Sequence, residues 1–121
     1  MILLKAQSVE ALETAVEYLD NISRALPSII EDYREQNIST VSEKMINLSD
    51  GLRWLYDVAK LTKDYHSLDE DEMLGCYTEI VDAMEMKDYI LISDLIEYEL
   101  LPLVEGWRAS LSESVKNLTT N

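Results

Sequence analysis

The sequence predicts an all-α fold, an antiparallel up-down-up-down four-helix bundle with kinked first and fourth helices. Apolar residues recur at three- and four-residue steps along nearly the whole chain, and no period-two run bounded by turn residues suggests a strand. Three glycines and two prolines in 121 residues offer few turns, which favours long helices. The gaps in the pattern, near residues 35–38, 65–68 and 86–88, are short, so consecutive helices are expected to double back on one another.

The first helix is expected from about Ser8 to Arg34. Val9, Leu12, Val16, Leu19, Leu26, Ile30 and Tyr33 form its apolar row, widened by Ala15, Ile22 and Ile29. Ser8 suits an N-cap, and Glu10 and Glu13 suit the positive end of the helix dipole. Pro27 lies inside a pattern that does not skip across it, which predicts a kink rather than a stop. The second helix is expected from about Ser39 to Tyr65. Ile38, Val41, Met45, Leu48, Leu52, Leu55, Ala59 and Thr62 form an uninterrupted heptad seam. Thr40 and Glu43 match a capping box, and a second row of Trp54, Val58, Leu61 and Tyr65 suggests more neighbours late in the helix.

The third helix is expected from about Leu68 to Met86, with Ser67 and Glu70 as another capping box. Met73, Tyr77, Ile80, Met84 and Lys87 keep the rhythm, with Cys76 and Ala83 alongside. The fourth is expected from near Asp88 to about Leu118, with Leu100, Leu103, Trp107, Leu111, Val115 and Leu118 as later core positions. Pro102 predicts a bend, and Gly106 suggests a close backbone approach beside Trp107.

No segment reads as a linker or as low in complexity, so residues 1–121 are expected to form one domain. The composition is 47% hydrophobic and 28% charged, typical of a globular domain. At this length a fold buries roughly two-thirds of its unfolded surface, enough for a core without disulfide or metal. The 24 acidic residues against 10 basic ones give a formal net charge of −14. That field repels phosphate backbones and anionic membranes, so neither nucleic acid nor membrane is an expected partner. The apolar start of the chain is far too short for a signal peptide or a membrane span. A cytoplasmic protein is expected, and Cys76, the only cysteine, reads as a core thiol.

No catalytic set is legible, and the chain is not expected to be an enzyme or to hold a metal or other cofactor. His66 is the only histidine, and its place at a helix end suits a C-terminal-turn residue. Glu-x-x-His, the di-iron bundle motif, is absent. Asp69-Glu70-Asp71-Glu72 looks like half a calcium loop, but Met73 and Leu74 stand where that loop needs an oxygen ligand and a glycine. Glu99, among Leu95, Ile96, Leu100 and Pro102, reads as a partly buried acid paired with Arg24, Arg53 or Arg108. Glu10, Glu13, Glu17 and Asp20 read as a solvated face.

The fourth helix carries the functional expectation. From Ile90 to Val104 only Ser93, Asp94, Glu97 and Glu99 are polar, so the segment has more apolar surface than one buried face needs. It is either the most buried helix of the domain or a docking surface. Ile92, Leu95, Ile96, Tyr98, Leu101 and Val104 are the expected partner-binding residues. Residues 1–7 could cover the stripe through Ile2, Leu3 and Leu4, as could a second copy or a client helix.

Asp88, the Ile90 to Val104 stripe, Trp107 and the run Leu55-Tyr56-Asp57 make the chain similar to flagellar export chaperones of the flagellin-binding type, across about half its length. The Tyr- and Gln-containing N-terminal segment of that family has no counterpart here. The resemblance implies a helical bundle that holds a protein segment. The chain also resembles small acidic helical proteins of Gram-positive bacteria that carry no known function. The expected function is therefore a non-enzymatic bundle that binds a protein segment, in the manner of an export chaperone or adaptor. The alternative is a structural homodimer using the same stripe.

Overall fold

The computed structural model describes residues 4–120. Helices α1 (Lys5–Arg34), α2 (Ile38–Leu61) and α3 (Glu70–Glu85) precede a long fourth helix built from α4 (Tyr89–Leu95), a π-helical turn (Ile96–Leu100) and α5 (Leu101–Thr119). The described residues form no strand, and no helix among them is long and apolar enough to cross a membrane. The protein is an all-α helical bundle.

The helix starts differ from those expected. α1 begins at Lys5, with Leu4 before it donating its N–H to Gln7 Oε1 at 3.0 Å. Ser8 is therefore inside the helix and buried, its hydroxyl without a partner, and no acid occupies the first turn. The N-cap of α2 is Asn37, not a residue of the Thr40–Glu43 box. Asp69 caps α3 by accepting from the Asp71 N–H at 3.0 Å, so Ser67 and Glu70 form no box. Capping boxes misled because a Ser or Thr three residues before Glu is common inside any acidic helix, and only the chain entry decides which one caps. Of residues 1–7, proposed as an extended cover, 1–3 lie outside the described residues, and Lys5 onward is helical and exposed.

Two helix ends share one device. Gln36 (φ 58°) and Lys87 (φ 53°) take the left-handed conformation that usually falls to glycine. The Asn37 N–H reaches Asp32 O at 2.8 Å and the Asp88 N–H reaches Ala83 O at 3.1 Å, the six-to-one bond of a Schellman motif. Each motif passes directly into the N-cap of the next helix, Asn37 for α2 and Asp88 for α4.

Cross-helix contacts run in opposite order along neighbouring helices. Lys44 of α2 bonds Asp32 of α1 at 2.7 Å, while Trp54 meets Tyr18 edge-on at 5.9 Å. Tyr77 of α3 donates to Ser49 Oγ of α2 at 2.9 Å. Arg34 near the end of α1 pairs with Asp94 and Glu97, whereas Asp20 lies 3.8 Å from Arg108. Leu12, Leu19, Leu26, Leu55, Ile80, Ile96, Leu100 and Trp107 fill one core between these helices.

The seam of α2 is buried from Val41 to Thr62, and only Ile38 is partly exposed. The second row is not: Trp54 and Leu61 remain exposed and only Val58 is buried. On α3 the buried row is Met73, Cys76, Ile80 and Ala83. Tyr77 and Met84, expected in the core, lie to its side facing α2. The close backbone approach occurs at Gly51, where a Cβ would stand 1.6 Å from the Tyr18 hydroxyl, and not at Gly106, which has open space around it.

Pro27 does not end α1. Pro102 sits at the start of α5, immediately after the π turn. A proline lacks the N–H that would bond the carbonyl four residues back, and its ring crowds that carbonyl. The Leu101 N–H bonds Ile96 O instead, five residues back, which widens the turn and makes room for the ring. The wider turn also keeps Ile92, Ile96, Leu100 and Val104, each four residues apart, all buried. In an α-helix with 3.6 residues per turn such steps would drift off the core face.

Candidate partner-binding groove

Three of the six residues expected to bind a partner are core residues of the bundle. Ile92, Ile96 and Val104 are fully buried, Leu95 and Leu101 are half-buried against the core, and Tyr98 alone is exposed. The apolar stripe of the fourth helix is therefore not one free surface. The fourth helix packs against both α1 and α3, so two of its faces are covered and its apolar residues there are core.

Open apolar surface lies along α2, opposite α3 in its second half and opposite Tyr33, Met84 and the start of the fourth helix in its first. One half of this groove, about 500 Å³, is lined by Tyr33, Ile38, Val41, Met45 and Ile46 on one side and Met84, Tyr89 and Ile92 on the other. A second half of about 500 Å³ contains Leu52, Tyr56, Met73, Leu74 and Tyr77. Ser49 and Asp50 line both halves, and the Tyr77 hydroxyl on Ser49 Oγ bridges α2 and α3 where the halves adjoin. Its existence follows from α3. That helix turns its narrow row, Cys76 and Ala83 among it, into the core, which leaves Leu74, Tyr77 and Met84 outside it beside α2. Ile46 is 63% exposed and Met84 36%. The signal available in the sequence was the doublet Met45-Ile46, two large apolar residues where the heptad seam needs one.

The polar groups elsewhere are mostly structural. His66 ties the α2–α3 connection together: its Nε2–H donates to Ala59 O at 2.9 Å and its Nδ1 accepts from the Leu68 N–H at 3.1 Å. Both bonds require the neutral ring, and burial lowers the His66 pKa accordingly. This is a helix-end role, made by hydrogen bonds and not by charge. Burial pushes the Cys76 thiol up to about 11, with Glu99 and Glu79 adding to the shift, which suits an inert core thiol. Among the described residues no group of three or more His, Cys, Asp or Glu could hold a metal ion.

Glu99 is exposed and has no arginine partner. It faces Glu79 of α3, and the hydrogen bond between the two carboxyl groups, with burial and the Glu79 charge, raises the Glu99 pKa. Arg24 and Arg108 lie against Asp20 instead. The sign follows. A carboxyl whose folded pKa lies above its unfolded value adds stability below the unfolded pKa, and that contribution is lost as the pH rises through the folded pKa. Two facing carboxyl groups repel once both carry charge. Glu99→Gln is thus expected to raise Tm slightly at pH 7, with the advantage fading as the pH falls toward the carboxylate range. Melting curves at both ends of that range check it, and a lower Tm for the variant at pH 7 would contradict the pairing.

The chain belongs to the family described as a domain of unknown function (DUF8042), which matches residues 10–110 and so includes every helix that lines the groove. No curated protein and no solved structure matches it.

Proposed function

We propose that this protein is a non-enzymatic helical bundle that binds a segment of another protein, as an adaptor or export-chaperone-like factor, through the groove along α2. The observation that supports this reading is the groove itself: two adjoining apolar halves of about 500 Å³ each, the first of them lined by the exposed side chains of Ile46 and Met84. Clefts of that size and character suit buried apolar anchors. The exposed Met84 lines it, and methionine adapts its shape to irregular partners. A cytoplasmic setting belongs to the same reading, since a buried, unpaired Cys76 suits a reducing compartment.

The paired substitution Ile46→Glu with Met84→Glu tests it. Both positions are exposed, so the bundle should keep its helical circular dichroism. Helical peptides selected from a display library on the wild-type protein are expected to lose at least about tenfold in affinity for the variant, the loss typical of buried interface anchors. Selected peptides that bind both proteins equally would remove the groove as the site. A homodimer through the same groove would instead give a concentration-dependent mass and Tm.

A further inference from the structure

We infer that His66 is an acid-sensitive latch: its neutral ring closes the connection between α2 and α3, and protonation opens it. The connection runs from Thr62, just past the end of α2, through a single helical turn (Lys63–Tyr65) to Asp69, the N-cap of α3. On the α2 side, the ring Nε2 lies 2.9 Å from Ala59 O and 3.2 Å from Thr62 Oγ1. Thr62 is buried and its hydroxyl donates to Val58 O at 2.7 Å, so toward the ring it accepts. On the α3 side, Nδ1 accepts from the Leu68 N–H at 3.1 Å. A backbone amide only donates and both oxygens beside Nε2 accept, so this geometry fixes the tautomer with its proton on Nε2. A second proton would go to Nδ1 and point at the Leu68 N–H, and the bond that reaches the α3 side would be lost. The ring is half-buried, within reach of solvent protons.

The charges that act on the ring come from both sides of the connection. Burial is the largest influence and holds the His66 pKa below the ordinary histidine value of about 6.5. The bond to Ala59 O and the Glu70 carboxylate raise it, and Lys63 lowers it again. Lys60 of α2 acts on Glu70, and Asp69 and Asp71 act on Lys63, while Asp64 completes the turn. Among the described residues no charged group of α1 or of the fourth helix acts on the ring. Glu70 also offers the protonated ring an acceptor. It is 6% exposed, its Oε1 holds Lys63 at 3.0 Å, and its Oε2 is buried with no partner. Its own backbone N–H and Lys63 hold it below the usual carboxylate range, so it stays ionised while the ring charges. The open state thus satisfies an oxygen that the closed state leaves alone. The unfolded chain takes up this proton at a higher pH than the folded ring does. The latch therefore contributes fully above about 6.5 and is lost as the pH falls through the folded value. Opening frees the entry to α3, whose first turn carries Met73 and Leu74 into the second half of the groove.

The test is an NMR titration of the full chain from about pH 8 to about pH 5, the range in which histidine changes charge. His66 is the only histidine, so its ring signals stand alone. The ring nitrogens should report the Nε2–H tautomer at the upper end and a midpoint below about 6.5. Exchange of the Leu68 amide, corrected for its intrinsic pH dependence, should rise at least about tenfold with the same midpoint, the weight of one hydrogen bond. The amides of Leu19 and Leu111, core residues of α1 and α5, should stay protected. His66→Gln, which has no titrating ring, should show no such step. An Nδ1–H tautomer at neutral pH would overturn the latch, as would a Leu68 amide that stays protected while the ring charges. A step that survives in His66→Gln would assign it to the acids of α3 and overturn the role of the ring. Loss of protection shared by Leu19 and Leu111 would make the event global unfolding and overturn the latch as well.

Discussion

Trp107→Ala is expected to destabilise the protein by ~3–5 kcal/mol, a large part of the roughly 5–15 kcal/mol that holds a small domain folded. Trp107 is 2% exposed and is the largest of the fully buried side chains. It lies on α5, the helix that packs most extensively against α1, so its removal opens a void along the main seam of the bundle. Neither backbone can collapse into that void without moving a whole helix, which places the cost in the upper part of the range. Urea unfolding followed by far-UV circular dichroism measures it. Trp54→Ala is the internal control. Trp54 is 37% exposed and touches Tyr18 from the edge of the fold, so it should cost well under half as much. Equal losses at the two tryptophans would mean that α1 and α5 do not form the central seam.

The same contrast shows what the sequence could and could not disclose. The seam of α2 was legible residue by residue, because one helix facing one core obeys a single heptad rule and every seam position from Val41 to Thr62 is buried. The apolar excess of the fourth helix was equally visible, but not its destination. Whether Ile92, Ile96 and Val104 face a partner or two neighbouring helices is a question of tertiary packing, on which periodicity is silent. The π turn before Pro102 compounded this. It holds residues four apart in the core, so an α-helical wheel places them wrongly. On α3 the spacing offered two rows of equal rhythm. Bulk favoured Tyr77 and Met84, yet the close-packed row includes Cys76 and Ala83, since narrow side chains let α3 approach the fourth helix. The groove is the remainder of that choice, which is why it could be found only once α3 had a rotation. Glu99 was misread for a simpler reason: apolar neighbours in sequence are not neighbours in space on a helix, and its side chain leaves the core face.

A single aspartate distinguishes the two assignments of the apolar surface. Ile96→Asp is expected to leave the protein largely unfolded at room temperature, whereas Ile46→Asp is expected to change stability by no more than about 0.5 kcal/mol, as exposed positions usually do. Ile96 is 0% exposed, at the start of the π turn. A carboxylate there would sit among Leu and Ile side chains with no hydrogen-bond partner, a burden proteins relieve by protonation or by unfolding. The lost transfer energy of the isoleucine, about 1.5–3 kcal/mol, adds to it. Ile46 projects into the groove, where a carboxylate keeps its water. Were the fourth-helix stripe the docking surface, Ile96→Asp would instead fold normally and lose its partner. Thermal melts of both variants, read before any binding experiment, decide the matter, and a cooperative transition near the wild-type Tm for Ile96→Asp would refute the packing of the fourth helix described here.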